Sequence, residues 1–336
     1  ITQGGTAKAR ALWLAAKIPG KETDYVDLAL SDTDARFRIQ GIRMARYVDA
    51  GKLEAHLDKV VSDESMQVRR EVAIALKNLG TPMAAELWTS LAEQSQGDDR
   101  WFLEALGIGA DKFPNLYFGS WKSAVGDAWK TDAGKEIVWR VQADATVPLL
   151  AEMIRDKKVS QEKLPSYFRA FSFKRHPDKN SILMALLDRK HPLEGQIQAL
   201  TIGQLDEDFV NSSSKYVQMI RDILPKIEGT PEWLVAIKNL KIQDQKEALF
   251  RVVANSKLDE DLRNEAGELL FESGGKHLVE KDLASNMAES DKMEVLSLLG
   301  NISNPLAVDL LVESLGKKGL SHPLKRKVVE ALGNTW

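Results

Sequence analysis

Residues 63–76 read DESMQVRREVAIAL, and residues 32–45, displaced by 31 positions, read DTDARFRIQGIRMA. Each stretch starts on an acid, brings in arginine within a turn or two and then runs into apolar residues at helical spacing. Val68, Val72, Ala75, Leu76 and Leu79 form one such stripe, and Val308, Leu311, Val312 and Leu315 form another near the far end. Leu299-Gly300-Asn301 returns as Leu332-Gly333-Asn334, displaced by 33 positions. A helix of about 10 residues followed by one of about 13, renewed at repeat-protein spacing, cannot close its apolar face alone and must stack on its neighbours. The spacing therefore predicts an all-α fold, an α-solenoid of two-helix repeats, running as a single array over residues 1–336. Pairs are expected near 23–48, 53–79, 82–109, 147–173, 177–204, 214–239, 244–273, 276–302 and 305–334, after a lone helix near 6–18.

Local chemistry agrees with that division. Thr81-Pro82, Thr230-Pro231 and Asn304-Pro305 each place a capping oxygen before a proline whose missing N–H costs nothing at a first helical position. Leu79-Gly80, Leu299-Gly300 and Leu332-Gly333 read as exits, with glycine free to turn left-handed. Two stretches interrupt the period. Residues 108–146 hold Phe113, Tyr117, Phe118, Trp121, Trp129 and Trp139 and are expected to be an insertion or an enlarged repeat. Residues 206–214, DEDFVNSSS, are expected to be a polar loop. The chain opens at Ile1 and ends just after an apolar helix without a polar cap, which reads as a segment cut from a larger protein.

Composition narrows the chemistry. A hydrophobic share of 43% with 28% charged residues marks an ordered, water-compatible chain rather than a disordered one. The net charge of −3 supplies no global attraction for nucleic acid or anionic lipid, and no apolar run is long enough for a membrane span. With no cysteine there is no disulfide, thiolate metal site, thiol nucleophile or covalent c-type haem attachment. His56, His176, His191, His277 and His322 lie far apart and form no metal-ligand motif, so neither metal nor cofactor is expected. Phosphate loops, nucleophile elbows and nucleotide fingerprints are missing, and Asp98, Asp99, Glu104 and Asp111 read as helix-start charges rather than a catalytic pair.

Two groups of residues are candidates for an interaction surface. The first is the arginine series Arg36, Arg38, Arg43, Arg46, Arg69 and Arg100. Such residues serve either as an internal ladder of Asp–Arg bonds between repeats or as a row of guanidinium groups that receives an anionic partner. The second is the aromatic group Trp121, Trp129 and Trp139 with Arg140. Trp121, Val125 and Trp129 would share one helical stripe, and that stripe is either core or an exposed platform for a sugar ring or a partner protein. Charge is also uneven: residues 151–190 carry ten Lys plus Arg against five acids, and residues 257–294 carry five against eleven.

The acid-then-arginine pattern before an apolar second helix resembles HEAT repeats. The stretches DRWFLEALGIGAD, WKSAVGDAW and GKEIVWRVQADATVPLLAEMI, all between residues 98 and 154, are similar to the HEAT-repeat region of bacterial multidomain proteins described as membrane-bound dehydrogenases or PVC-type haem-binding proteins. In that family the repeats lie between a sugar-dehydrogenase-like propeller and a c-type cytochrome domain. The resemblance implies an exported protein, periplasmic or associated with the cell envelope, whose repeats space or dock flanking redox domains. No redox activity or haem passes to this cysteine-free chain, and the family assigns no catalytic residue to its repeats. The expectation is a non-catalytic scaffold that holds flanking domains or a partner protein. Carbohydrate binding through residues 113–139 is the alternative. A HEAT-like nucleic-acid-binding enzyme is a weaker one, because the first 150 residues hold 19 bases against 21 acids.

Overall fold

The structure is a computed structural model that describes residues 3–188, 190–316 and 320–334. Every regular element among them is helical. Contacts within the chain group into two compact units, residues 1–182 and 183–336, where the sequence suggests one array.

The first unit opens with α1 (Gln3–Ala15). It continues with the pairs α2 (Glu22–Leu30) and α3 (Ala35–Val48), α4 (Leu53–Asp58) and α5 (Met66–Ala75), and α6 (Pro82–Glu93) and α7 (Arg100–Ala110). Next come α8 (Pro114–Val125) and α9 (Asp132–Arg140), then α10 (Thr146–Arg155) and α11 (Leu164–Ser172). First helices pack on first helices along α2, α4, α6 and α8, and second on second along α3, α5, α7, α9 and α11. That two-layer stacking is HEAT-like. The division falls within α12 (Lys179–Leu187). The second unit then holds α13 (Glu194–Ile202), α14 (Glu207–Asn211), α15 (Ser214–Ile223) and α16 (Pro231–Asn239). It ends with α17 (Lys246–Ala254) and α18 (Glu260–Glu272), α19 (Lys276–Leu283) and α20 (Glu289–Leu299), and α21 (Pro305–Leu315) and α22 (His322–Asn334). Its second helices α13, α16, α18, α20 and α22 pack in series, as do α17, α19 and α21.

The start signals work as expected. Thr81 accepts the N–H of Ala84, Thr230 that of Trp233 and Asn304 that of Leu306, each with proline at the head of the helix. The exits need correcting. Gly300 keeps a right-handed φ of −68° and Gly333 lies inside α22, so neither supplies a left-handed turn. Gly300 is required for a different reason: a Cβ there would stand 2.7 Å from the carbonyl oxygen of Ala331, so α22 approaches too closely for any side chain.

The expected interruptions also differ from the structure. Residues 114–140 form an ordinary helix pair in register: α8 packs on α6 and α9 on α7, with the 3-10 turn Gly126–Lys130 as the connection. The aromatic density fills consecutive interfaces. Tyr117 is fully buried, donates its hydroxyl to the carbonyls of Leu76 and Leu79, and stacks 6.1 Å from Trp88, whose Nε1–H reaches Leu106 O at 2.9 Å. Residues 206–214 are not all loop, because α14 closes one turn there.

Candidate functional site

Most of the arginine series is bonded to acceptors of the protein itself, although only Arg38 is buried. Arg38, on the fourth position of α3, donates Nε–H and Nη2–H to the Asp63 carboxylate at 2.7 and 2.8 Å and Nη1–H to the carbonyls of Asp32 and Thr33. Burial works against the Asp63 carboxylate, yet Arg38 and the N–H of Ser65 hold it below the ordinary carboxylate value. Arg43 reaches Glu71 of the next repeat at 2.7 Å, Arg69 reaches Gln94 at 3.1 Å, and Arg70 stands 3.7 Å from Asp99. The same device returns at the fourth position of α18, where Arg263 bonds to Val253 O and to Glu294 of α20. Arg36 is held on Asp34, its own helix cap, and drives that carboxyl down to about 2. Only Arg46 of the α3 series is exposed with no protein partner among the described residues. Arg38 and Arg43 thus bond to carboxylates of the next repeat, as an internal Asp–Arg ladder would, while Arg36 is held on its own helix and Arg69 on Gln94.

The aromatic candidates separate too. Trp121 and Trp129 are each 2% exposed. They do not share a helix either, since α8 stops at Val125 and Trp129 sits in the following 3-10 turn. They are core, and a sugar platform loses both. Trp139 is different: half-buried on α9, it donates Nε1–H to Ser166 O of α11 at 3.0 Å, and the Arg100 guanidinium lies 4.9 Å from its ring centroid.

Around Trp139 the second helices α7, α9 and α11 enclose a groove of about 890 Å³. Its chemistry comes from three positions. Glu104 of α7 bridges two guanidinium groups, taking Arg100 on Oε1 and Arg140 Nε on Oε2, the latter at 2.7 Å. The Arg140 guanidinium lies against bare helix at Gly107, where a Cβ would come within 2.2 Å of it. On the α11 side Arg169 is exposed and Phe173 is 59% exposed at the end of the helix.

Lys174 lies at the base of the groove, 5% exposed. Its ammonium donates to Val141 O, to Thr146 Oγ1 at 2.8 Å and to Val138 O at 3.5 Å, satisfying the last carbonyls of α9. Burial, with the nearby Arg140 charge second, pushes its pKa down to about 7.

No protein-family model matches this chain, and no curated protein is detectably similar. The function has to be read from the groove.

Sequence reasoning named Arg100, Trp139 and Arg140 but missed Arg169, Phe173 and Lys174, which share α11 or its end with no motif to mark them. Trp101, 72% exposed on the first turn of α7, was signalled only by its place beside Arg100 and does not line the groove. His56 also escaped: it is buried between Asp27 and Asp49, with Nδ1 3.1 Å from one carboxylate and Nε2 2.9 Å from the other, and so ties α2 and the α3–α4 turn to α4. No set of three or more histidine, aspartate or glutamate side chains among the described residues is placed to hold a metal ion, and no described helix is long and apolar enough to cross a membrane.

Proposed function

We propose that this chain is a non-catalytic interaction scaffold whose groove between α7, α9 and α11 receives part of a partner protein. One observation carries this reading: a fixed tryptophan, an exposed phenylalanine and three arginines line one open groove, the composition of an energetic anchor site. The stacking of α7, α9 and α11 supports it by fixing most of that lining on helices. The resemblance of residues 98–154 to dehydrogenase-linked HEAT regions supports a redox module of an exported multidomain protein, in the periplasm or cell envelope, as the partner. Carbohydrate binding has weaker support, because the exposed area of Trp139 is shared with the Arg100 guanidinium.

Affinity enrichment with the wild-type chain beside Phe173→Ser and Arg169→Gln tests the reading. A partner retained by the wild type, lost by both variants and reconstituted from purified protein at fixed stoichiometry is the expected result. Turnover of a substrate by the isolated chain, abolished by one substitution, would overturn it, and so would a partner indifferent to both variants.

A further inference from the structure

We infer that the groove's occupant is a peptide segment of the partner in which an acidic side chain adjoins an aromatic or large aliphatic one. This inference rests on the groove being the docking site and adds what docks there.

Charge complementarity is the first argument. The lining carries three guanidinium groups, Arg100, Arg140 and Arg169, and the buried Lys174, which is only partly charged near neutral pH, against Glu104, Asp111 and Glu162. Asp111 is already answered from outside the groove by Lys77, at 3.5 Å. Glu104 is shared by two guanidinium groups, and no described carboxylate pairs with Arg169. The cations are in excess, yet the acids among them would repel a polyanion, so the balance favours one isolated carboxylate over a run of phosphates.

Helix electrostatics is the second. Arg100 occupies the first position of α7, where the helix dipole disfavours a cation. Its bond to Glu104 and its place over the Trp139 ring hold it there, and an anion brought to that end would meet a guanidinium already in position.

Geometry is the third. Glu104 shows how a carboxylate sits here, one oxygen to each guanidinium. Arg140 spends only Nε on that bond, which leaves its Nη donors for a second carboxylate. Glu104 is thus an internal competitor that keeps the arginines in position in the free protein and weakens every acidic ligand. The Trp139 ring, locked by its bond to Ser166, and the exposed Phe173 supply the apolar wall on which a neighbouring aromatic or aliphatic side chain packs.

A random peptide library displayed on phage and panned against the full chain decides the matter. Enriched peptides are then synthesised with blocked termini and titrated by fluorescence polarisation. They are expected to carry Asp or Glu within two residues of an aromatic or large aliphatic residue. Arg169→Gln should weaken them about tenfold and Glu104→Gln should tighten them several-fold, the size of a charge-assisted bond lost or a competitor removed. Gly107→Ala leaves every charge in place but displaces Arg140, and should weaken them as well. Circular dichroism establishes that each variant is folded. Peptides without an acid that still fail on Phe173→Ser and Arg169→Gln would overturn the acidic ligand while leaving the groove as the docking site. No enrichment, or peptides indifferent to all the groove substitutions, would remove both.

Discussion

The sequence singles out Arg38 and Arg36 by the same pattern, two residues apart, and their environments make them opposites. Arg38 and Asp63 have side chains only 9% and 7% exposed, so removing one partner strands a charge. Arg38→Met should lower unfolding free energy by roughly 3 kcal/mol or more, the usual cost of breaking a buried pair. Arg36→Ala, on an exposed side chain, should stay below about 1 kcal/mol. Urea titration of the two variants side by side checks the contrast. The pair also sets an acid limit: with the Asp63 pKa depressed, its contribution is complete above the unfolded value of 3.8 and fades as pH falls through the lower folded value. Lys174 gives a slope of the same sign at the alkaline side. The unfolded lysine holds its proton up to about 10.5 and the folded one releases it near 7, so between these values the unfolded chain binds more protons and stability rises with pH. Lys174→Met should flatten that rise, which urea midpoints at pH 6.5 and 9 will show. An inter-repeat Asp–Arg bond was one of the two readings the residues offered for Arg38, whereas nothing in the residues pointed to Lys174, whose partner Thr146 lies 28 positions away.

At the scale of single helices the sequence was largely sufficient. The Thr-Pro and Asn-Pro starts are local devices, complete within a few residues, and all three cap as read. Thr230→Ala should therefore cost about 1 kcal/mol, measured by chemical denaturation. Helix ends were less legible because glycine serves two purposes. Gly109 of α7 would bring a Cβ within 2.3 Å of Ala73 O on α5, a backbone atom that cannot swing aside, and Gly107 would press only on the flexible Arg140. Gly109→Ala should consequently destabilise the fold by more than Gly107→Ala, although both remove a glycine from the same helix and gain in helix propensity. Thermal melts of the two variants test the order. The aromatic stretch was misread for a related reason: large residues at helical spacing signal a crowded interface as readily as an extra element, and residues 114–140 turn out to be a regular pair.

Over the whole molecule, contacts pass from pair to pair, so damage should spread by proximity and not everywhere at once. Amide exchange in the Arg38→Met variant should rise most in α2 to α5, less in α6 and α7, and least in α10 and α11. Equal acceleration across those helices would contradict neighbour-to-neighbour stacking. The sequence alone determined the two-helix period, the helix starts and the lack of thiol chemistry, because these depend on residue types and on spacings of three or four positions. Tertiary structure alone decided which arginines are consumed by carboxylates of the next repeat, which tryptophans are core, and that Arg100, Trp139, Arg140, Arg169 and Phe173 share one groove. Those facts depend on contacts between helices, such as the bond between Arg140 and Glu104 across 36 positions, and a repeating pattern of apolar residues specifies that helices stack without specifying which polar side chains meet when they do.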